Sequence, residues 1–275
     1  MKYETLKSYS NEEFRRITGV KRVTFEKMLE ILCRSFALKH AQGGRRPKLP
    51  LEEQLLATLE YLHKYRTYAH IAASYQIDES NIYRMIRWVE DTLVKDGTFS
   101  LPGRKALLKS DAQYEVVLID ATESPIERPK KKQRHYYSGK KKKHTIKTQL
   151  VVNKFDGRII CTSFANGSCH DFRLFKESRL KIDSKIKAVV DTGYTGIQKF
   201  HANSVVPIKR SKKKPLTKED KVFNHSVSSE RVLSEHVIGL VKRFKIVSDR
   251  YRNRRKRFGL RFNLICGICN YEKIT

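Results

Sequence analysis

The chain has 275 residues, and its 58 basic against 29 acidic residues give a formal net charge of +29. A charge of this size is best tolerated when a polyanion neutralises it, so nucleic acid is the expected partner. No run approaches the roughly 18 apolar residues of a membrane span, and the first residues lack the apolar segment of a signal peptide. We therefore expect the chain to stay in the compartment where it is made.

The cysteines predict neither a disulfide framework nor a metal site. Their number is five, and an odd count without a secretion signal fits a reducing compartment. Cys266 and Cys269 form a C-x-x-C pair, but no second cysteine or histidine pair lies nearby in the sequence to complete a zinc site. We expect them to be ordinary buried cysteines.

Helices are predicted for the first part of the chain. Apolar residues recur at helical spacing through residues 11–38, with Gly19 interrupting them. The segment 41–50 contains two glycines, two prolines and three basic residues, so it predicts an exposed linker.

The next region predicts a helix-turn-helix. A helix over 51–65 is followed by a short segment at 67–75, a turn at 76–78 and a helix over 81–94 that Glu79 or Ser80 would cap. Its outward residues would contact DNA, and they are Ser80, Asn81, Tyr83, Arg84 and Arg87. The alternative is a small helical bundle without a ligand.

Beyond about residue 110 the hydrophobic period becomes that of strands. Strands are predicted at 115–120, 144–153, 159–165, 188–190 and 205–208, a short helix at 171–179 and a long helix at 228–244. This alternation favours an α/β layer with mixed strands. We thus divide the chain into a helical segment (1–40), a helix-turn-helix domain (41–110) and an α/β domain (111–275).

Two aspartates stand at the predicted strand ends. Asp120 closes the first strand in the sequence IDATE, and Asp191 closes the fourth in VVDTGYTG. If the two carboxylates converge, a cation is needed to offset their repulsion, and oxygen ligands suit Mg²⁺ or Mn²⁺. Either aspartate could instead be an ordinary turn residue.

These motifs resemble those of DDE transposases of bacterial insertion sequences, whose catalytic domain has the ribonuclease H fold. The first resembles the family's D-x-T strand end and the second its D-x-G-Y motif. The third follows the family's R-x(3)-E-x(6)-K spacing with Arg231, Glu235 and Lys242, although Ser228 stands where the family has tyrosine. The resemblance covers residues 115 to the end, and the helix-turn-helix also resembles that of the group.

The resemblance implies a fold class and an activity. The fold would be α+β, a helical helix-turn-helix domain followed by a ribonuclease H-like mixed-sheet domain. Asp120, Asp191 and Glu235 would be catalytic and would ligate two Mg²⁺ or Mn²⁺ ions, while Arg231 and Lys242 would position phosphates. The enzyme would bind double-stranded DNA at its element's terminal inverted repeats, join the cut ends to target DNA and work as a homodimer. Its place would be the bacterial cytoplasm, associated with the nucleoid.

Three other carboxylates are weaker candidates for the centre. Glu123 could support the metal or face solvent. Asp171 follows a histidine, as in similar transposases, but it stands where a helix cap is expected. Glu230 rivals Glu235 but breaks the spacing to the lysine.

Further basic residues are expected to contact DNA. A lysine-rich stretch with tyrosines lies between the first two strands, and a second basic stretch runs from residue 250 to 261. From these we select Arg134, Lys140, Lys141, Lys142, Arg254 and Arg255. The first stretch could instead be a solvated hairpin.

Two other functions are compatible with the composition. One is a transposase-derived, sequence-specific DNA-binding protein or repressor without catalysis, and the intact set of three carboxylates argues against it. The other is a basic RNA-binding or structural protein, which would bind without metal and without preference for particular DNA ends.

Overall fold

The computed structural model describes residues 3–41, 43–44, 46–108, 114–210 and 215–275. The chain forms two compact units, one comprising residues 1–100, 241–249 and 256–275, the other residues 101–240 and 250–255. Packing therefore groups the chain differently from the three segments predicted above, because the carboxyl-terminal helix packs with helices near the amino terminus. Among the described residues, no helix is long and apolar enough to cross a membrane.

The first unit is helical. Its elements are α1 (Tyr3–Lys7), α2 (Asn11–Thr18), α3 (Arg22–His40), α4 (Leu51–Leu59), a π-helical turn (Glu60–Lys64), α5 (Tyr68–Tyr75) and α6 (Glu79–Asp96). Gly19 ends α2 at a φ of 82°, and a Cβ there would lie 2.6 Å from the His63 ring, so this break requires glycine.

The helix-turn-helix consists of α5 and α6. Thr67 caps α5 through the His70 amide, and Gln76 ends it in the left-handed conformation. The cap of α6 is Asp78, whose carboxylate accepts from the Ser80 amide, so the prediction of Glu79 or Ser80 was wrong by one or two residues. Asp78 takes this place because it has extended backbone angles, whereas its successors are already helical.

The second unit is a mixed α/β layer. Its strands are β1 (Val116–Pro125), β2 (Tyr137–Ser138), β3 (Lys143–Asn153), β4 (Ile159–Asn166), β5 (Lys187–Val190) and β6 (Ser204–Val205). Its helices are α7 (Gln133–Tyr136), α8 (Asp171–Glu177) and α9 (Lys218–Lys242), which ends in the first unit, and short 3₁₀ turns span Arg104–Leu108, Thr192–Tyr194 and Ile197–Lys199. This confirms the predicted fold class.

The sheet order explains where polar residues meet. β1 pairs antiparallel with β3 on one side and parallel with β5 on the other, β4 lies beyond β3, and β6 lies beyond β5. Val117, Ile119, Ala188 and Val190 point into one buried cluster. Because side chains alternate along a strand, Leu118 and Asp120 point to the opposite face.

Two helices complete the first unit, α10 (Lys245–Ser248) and α11 (Phe258–Ile274). The α11 helix was not predicted, and its first part belongs to the stretch expected to contact DNA. Arg261 is only 1% exposed, and its Nε donates to Glu90 at 2.7 Å, while Arg257 pairs with Glu90 and Asp91. The prediction was therefore wrong for these two arginines, because burying Glu90 requires cations beside it.

Candidate active site

Asp120 and Asp191 lie on neighbouring parallel strands. Ile119 is in register with Val190, so the next residue on each strand is one of the aspartates. Asp120 does not close its strand as predicted, since β1 continues to Pro125 by pairing with β3, and only the pairing with β5 stops at Ile119. Asp191 follows the last residue of β5 and caps a 3₁₀ turn by accepting from the Gly193 amide at 2.8 Å.

The Asp120 carboxylate is largely buried and only partly neutralised. One oxygen accepts from the Ala121 amide at 2.8 Å, and the other accepts from the Ser234 hydroxyl at 3.2 Å and lies 3.7 Å from an Arg231 nitrogen. Burial raises the pKa of Asp120, Arg231 opposes the rise, and the negative charge of Asp191 adds to it. The two aspartates are thus close enough to repel each other.

Asp171 approaches the same place from α8. The cap position of this helix is His170, so Asp171 is not the cap that its position suggested. One Asp171 oxygen accepts from Lys147 Nζ at 2.7 Å, and the other would lie 2.8 Å from a Cβ at Gly193, against 2.9 Å for an Asp191 oxygen. A side chain at residue 193 would therefore collide with both carboxylates.

The buried Lys147 forms an ion pair with Asp171 but not with Asp191. Lys147 is 8% exposed and also lies 3.9 Å from Glu123, which accepts from the Thr145 hydroxyl. The negative charge of Asp171 is thus balanced by Lys147, whereas Asp191 forms no ion pair within the described part of the chain. This difference favours Asp191 over Asp171 as a ligand for an added cation, and it assigns Glu123 to the lysine network.

The three aspartates all lie close to the buried Tyr194. Its side chain is fully buried, and its hydroxyl donates to Gln149 at 3.3 Å. Burial raises the pKa of Tyr194, and the negative charges of Asp171, Asp120 and Asp191 raise it further. A neutral phenol therefore borders a group of three aspartates.

Glu235 lies one residue beyond the contact that α9 makes with this site. Ser234 is buried against Asp120, whereas Glu235 is exposed. Successive helix residues differ by about 100° in direction, so the two side chains leave the helix at different angles. Among the described residues, no three histidine, cysteine or acidic side chains are arranged to hold a metal.

Glu230, the rival of Glu235, is held at the other end of the sheet. Its carboxylate lies 2.9 Å from Lys154 Nζ and 3.6 Å from Lys187 Nζ. Lys154 follows β3 and Lys187 begins β5, so both lie at the end of the sheet opposite to Asp191. These ion pairs also lower the pKa of Glu230.

The residues expected to contact DNA lie mainly at the surface. Exposed positions are Ser80, Asn81, Tyr83, Arg84, Arg87, Arg134, Lys140, Lys141, Lys142, Arg254 and Arg255, and Lys242 is half-buried. Arg255 lies over the Tyr136 ring at 4.4 Å. Arg231 is the exception, since its charge faces Asp120 and its Nε has no hydrogen-bond partner within the described residues.

Comparison with known proteins gives two family matches and one full-length relative. A model described as a DDE superfamily endonuclease matches residues 119–270, and one described as the helix-turn-helix of that superfamily matches residues 47–99. The chain is 46% identical over 272 residues to a probable transposase for insertion sequence element IS702 from Microchaete diplosiphon, covering 99% of this chain and 98% of that protein. No solved structure matches.

Proposed function

Because the chain belongs to the DDE superfamily of endonucleases and is an insertion-sequence transposase, we propose that it cuts its element's ends and joins them to target DNA. The freed 3′ hydroxyl of each end would attack the target strand. The observation that carries this proposal is the pairing of Asp120 and Asp191 on adjacent parallel strands, with too little positive charge beside them. A DNA-binding protein without catalysis would gain nothing from keeping these two carboxylates together.

The donor set fits a divalent cation. Asp120 and Asp191 offer hard carboxylate oxygens, and the absence of a side chain at Gly193 leaves the space beside Asp191 open. Two ions, Mg²⁺ or Mn²⁺, are our proposal for the occupied state. Bound ions would supply the charge that activates the nucleophile and stabilises the leaving oxygen.

Glu235 is the proposed third ligand. Its neighbour Ser234 already donates to Asp120, so the backbone of this turn of α9 stands beside the site. Because Glu235 is exposed, its side chain would have to turn toward the aspartates when a cation binds. Glu230 forms its ion pairs at the opposite end of the sheet, which supports the choice of Glu235.

Arg231 and the exposed basic residues would bind phosphate. Arg231 stands beside Asp120, and its Nε has no hydrogen-bond partner in the described structure. Once a metal ion binds Asp120, Arg231 could therefore turn toward a phosphate oxygen. Lys242, Arg134, Lys140, Lys141, Lys142, Arg254 and Arg255 would hold the DNA backbone without reading its sequence.

The helix-turn-helix makes this chain a DNA-binding protein, and we propose that it reads the terminal inverted repeats. Asn81 and Arg84 are exposed on the first turns of α6, where a recognition helix contacts bases, and they are joined by a hydrogen bond of 3.1 Å. Two ends must be brought together before joining, so we propose a homodimer on DNA.

Cleavage of a labelled terminal-repeat duplex in Mg²⁺ tests the proposal. The wild-type chain should cut at the repeat boundary, and Asp191→Asn should lose this activity while still binding the duplex. Glu230→Gln is the matched control, since it removes a carboxylate that is ion-paired at the other end of the same sheet. Persistent cleavage by Asp191→Asn would remove Asp191 from the centre.

A further inference from the structure

A groove beside α6 has the composition of a nucleotide site. Its volume is about 530 Å³, and it is formed by the end of α3, the segment 46–49 and one side of α6. This size falls within the range of about 300–1,000 Å³ that is usual for small-molecule sites. All of these elements belong to the first unit.

The groove combines an apolar floor with a basic rim. The half-buried Phe36, Met85 and Trp88 form what we call its floor, and no acidic residue belongs to the described lining. Its rim consists of the exposed Lys39, Arg46, Lys48 and Arg84. Lys39 Nζ lies 5.7 Å from the centre of the Trp88 ring, and the rings of Phe36 and His40 stack at 3.9 Å.

A buried side chain holds part of the basic rim in place. Gln54 is buried, and its amide donates to the Leu49 carbonyl at 2.9 Å, which fixes the end of the segment that carries Arg46 and Lys48. The α6 helix contributes to the same lining, so Asn81 and Arg84 belong both to the groove and to the exposed face of the recognition helix. DNA bound by that face would therefore reach the groove.

We propose that this groove takes one unpaired nucleotide of the bound DNA, with its base on the aromatic floor and its phosphates on the basic rim. Phosphates alone would need the rim but not the floor. Aromatic side chains bind bases by stacking, and the face of a base is accessible only when it leaves the duplex stack. The proposal deepens the proposed function and depends on DNA being the substrate.

Trp88 is the only tryptophan of the chain, so its fluorescence reports on this groove directly. The full-length protein is titrated with a labelled single strand of eight deoxythymidines and with an abasic strand of the same length. Anisotropy of the labelled strand gives binding, and Trp88 emission gives contact with the base. We expect saturable quenching by the deoxythymidine strand and none by the abasic strand.

Variants distinguish binding in the groove from non-specific attraction of DNA by positive charge. Trp88→Ala and Lys48→Gln should each weaken single-strand binding, the former on the order of tenfold as expected for one stacked base. Trp88→Phe should retain most of the affinity because it retains a ring. Lys95→Gln, an exposed lysine of α6 outside the groove, should change it less than twofold. Circular dichroism establishes that each variant is folded.

Two outcomes would overturn the inference. The first is saturated binding of the deoxythymidine strand with unchanged Trp88 emission, and the second is equal affinity and equal quenching by the abasic strand. Cleavage of repeat DNA is measured in parallel. Normal cleavage with an unresponsive Trp88 would refute the groove alone, whereas quenching without any cleavage would refute the proposed enzymatic activity alone.

Discussion

A fully buried acidic group and a largely buried one in this protein have opposite surroundings. Glu90 in the first unit is fully buried, and Arg257 and Arg261 donate to its two oxygens at 3.0 and 2.7 Å. Asp120 in the second unit faces another aspartate, with Arg231 no nearer than 3.7 Å, and its pKa is raised. The comparison teaches that burial alone does not indicate function. A carboxylate whose charge is already balanced stabilises the fold, and one whose charge is not balanced is available for a cation.

The largest expected effect is on activity and comes from Asp120→Asn. The charge stabilisation lost with a metal ligand amounts to several kcal/mol, so cleavage should fall about a thousandfold or more. Stability should be unchanged or higher, because the fold disfavours the charged form of Asp120. With a raised pKa, its favourable contribution is present at acid pH and is lost as the pH rises through the folded pKa. Cleavage rates and thermal melts measure the two effects, and a destabilised variant with full activity would reverse the assignment.

Glu90→Gln should show the opposite pattern. Removing Glu90 takes away the carboxylate to which the buried Arg261 donates and leaves Arg257 with Asp91 alone, and breaking such a buried ion pair costs about 3–5 kcal/mol. Urea unfolding measures this loss, with Glu30→Gln as the control because its ion pair with Lys27 is exposed to solvent and contributes little to stability. A loss for Glu90→Gln no larger than that of the control would contradict the comparison.

Arg84→Ala should affect DNA binding and leave stability nearly unchanged. This arginine is exposed on α6 and, within the described chain, hydrogen-bonds only to Asn81, in contrast to the buried Arg261. Loss of one base contact costs about 1–3 kcal/mol, so repeat-duplex affinity should fall by roughly tenfold or more. Affinity for unrelated duplex should fall less, and equal losses on both would assign Arg84 to phosphate contact.

Local patterns were sufficient for much of this architecture. The apolar runs predicted β1, β3, β4 and β5, and the run at 205–208 overlaps β6, which spans only Ser204–Val205. The motifs also pointed to Asp120 and Asp191, which follow paired residues of β1 and β5. The helix-turn-helix followed from helical periodicity and the intervening turn, and a family model also matches it.

Long-range pairings were not visible in the sequence. Arg261 looked like part of a DNA-binding tail because its partner Glu90 lies 171 residues earlier. The contact of Asp171 with Lys147 and the orientation of Ser234 toward Asp120 likewise depend on tertiary packing. The α9 helix begins at Lys218, ten residues before the predicted start. The prediction missed these residues because they are mostly polar and show only a weak helical period.

Binding of Mn²⁺ measured by calorimetry tests the central claim most directly, since it requires neither DNA nor turnover. The wild-type chain should bind Mn²⁺, and Asp120→Asn, Asp191→Asn and Glu235→Gln should each weaken that binding at least tenfold, while Glu230→Gln leaves it unchanged. Binding that survives all three substitutions, or that disappears only with Glu230→Gln, would contradict a metal centre built from Asp120, Asp191 and Glu235.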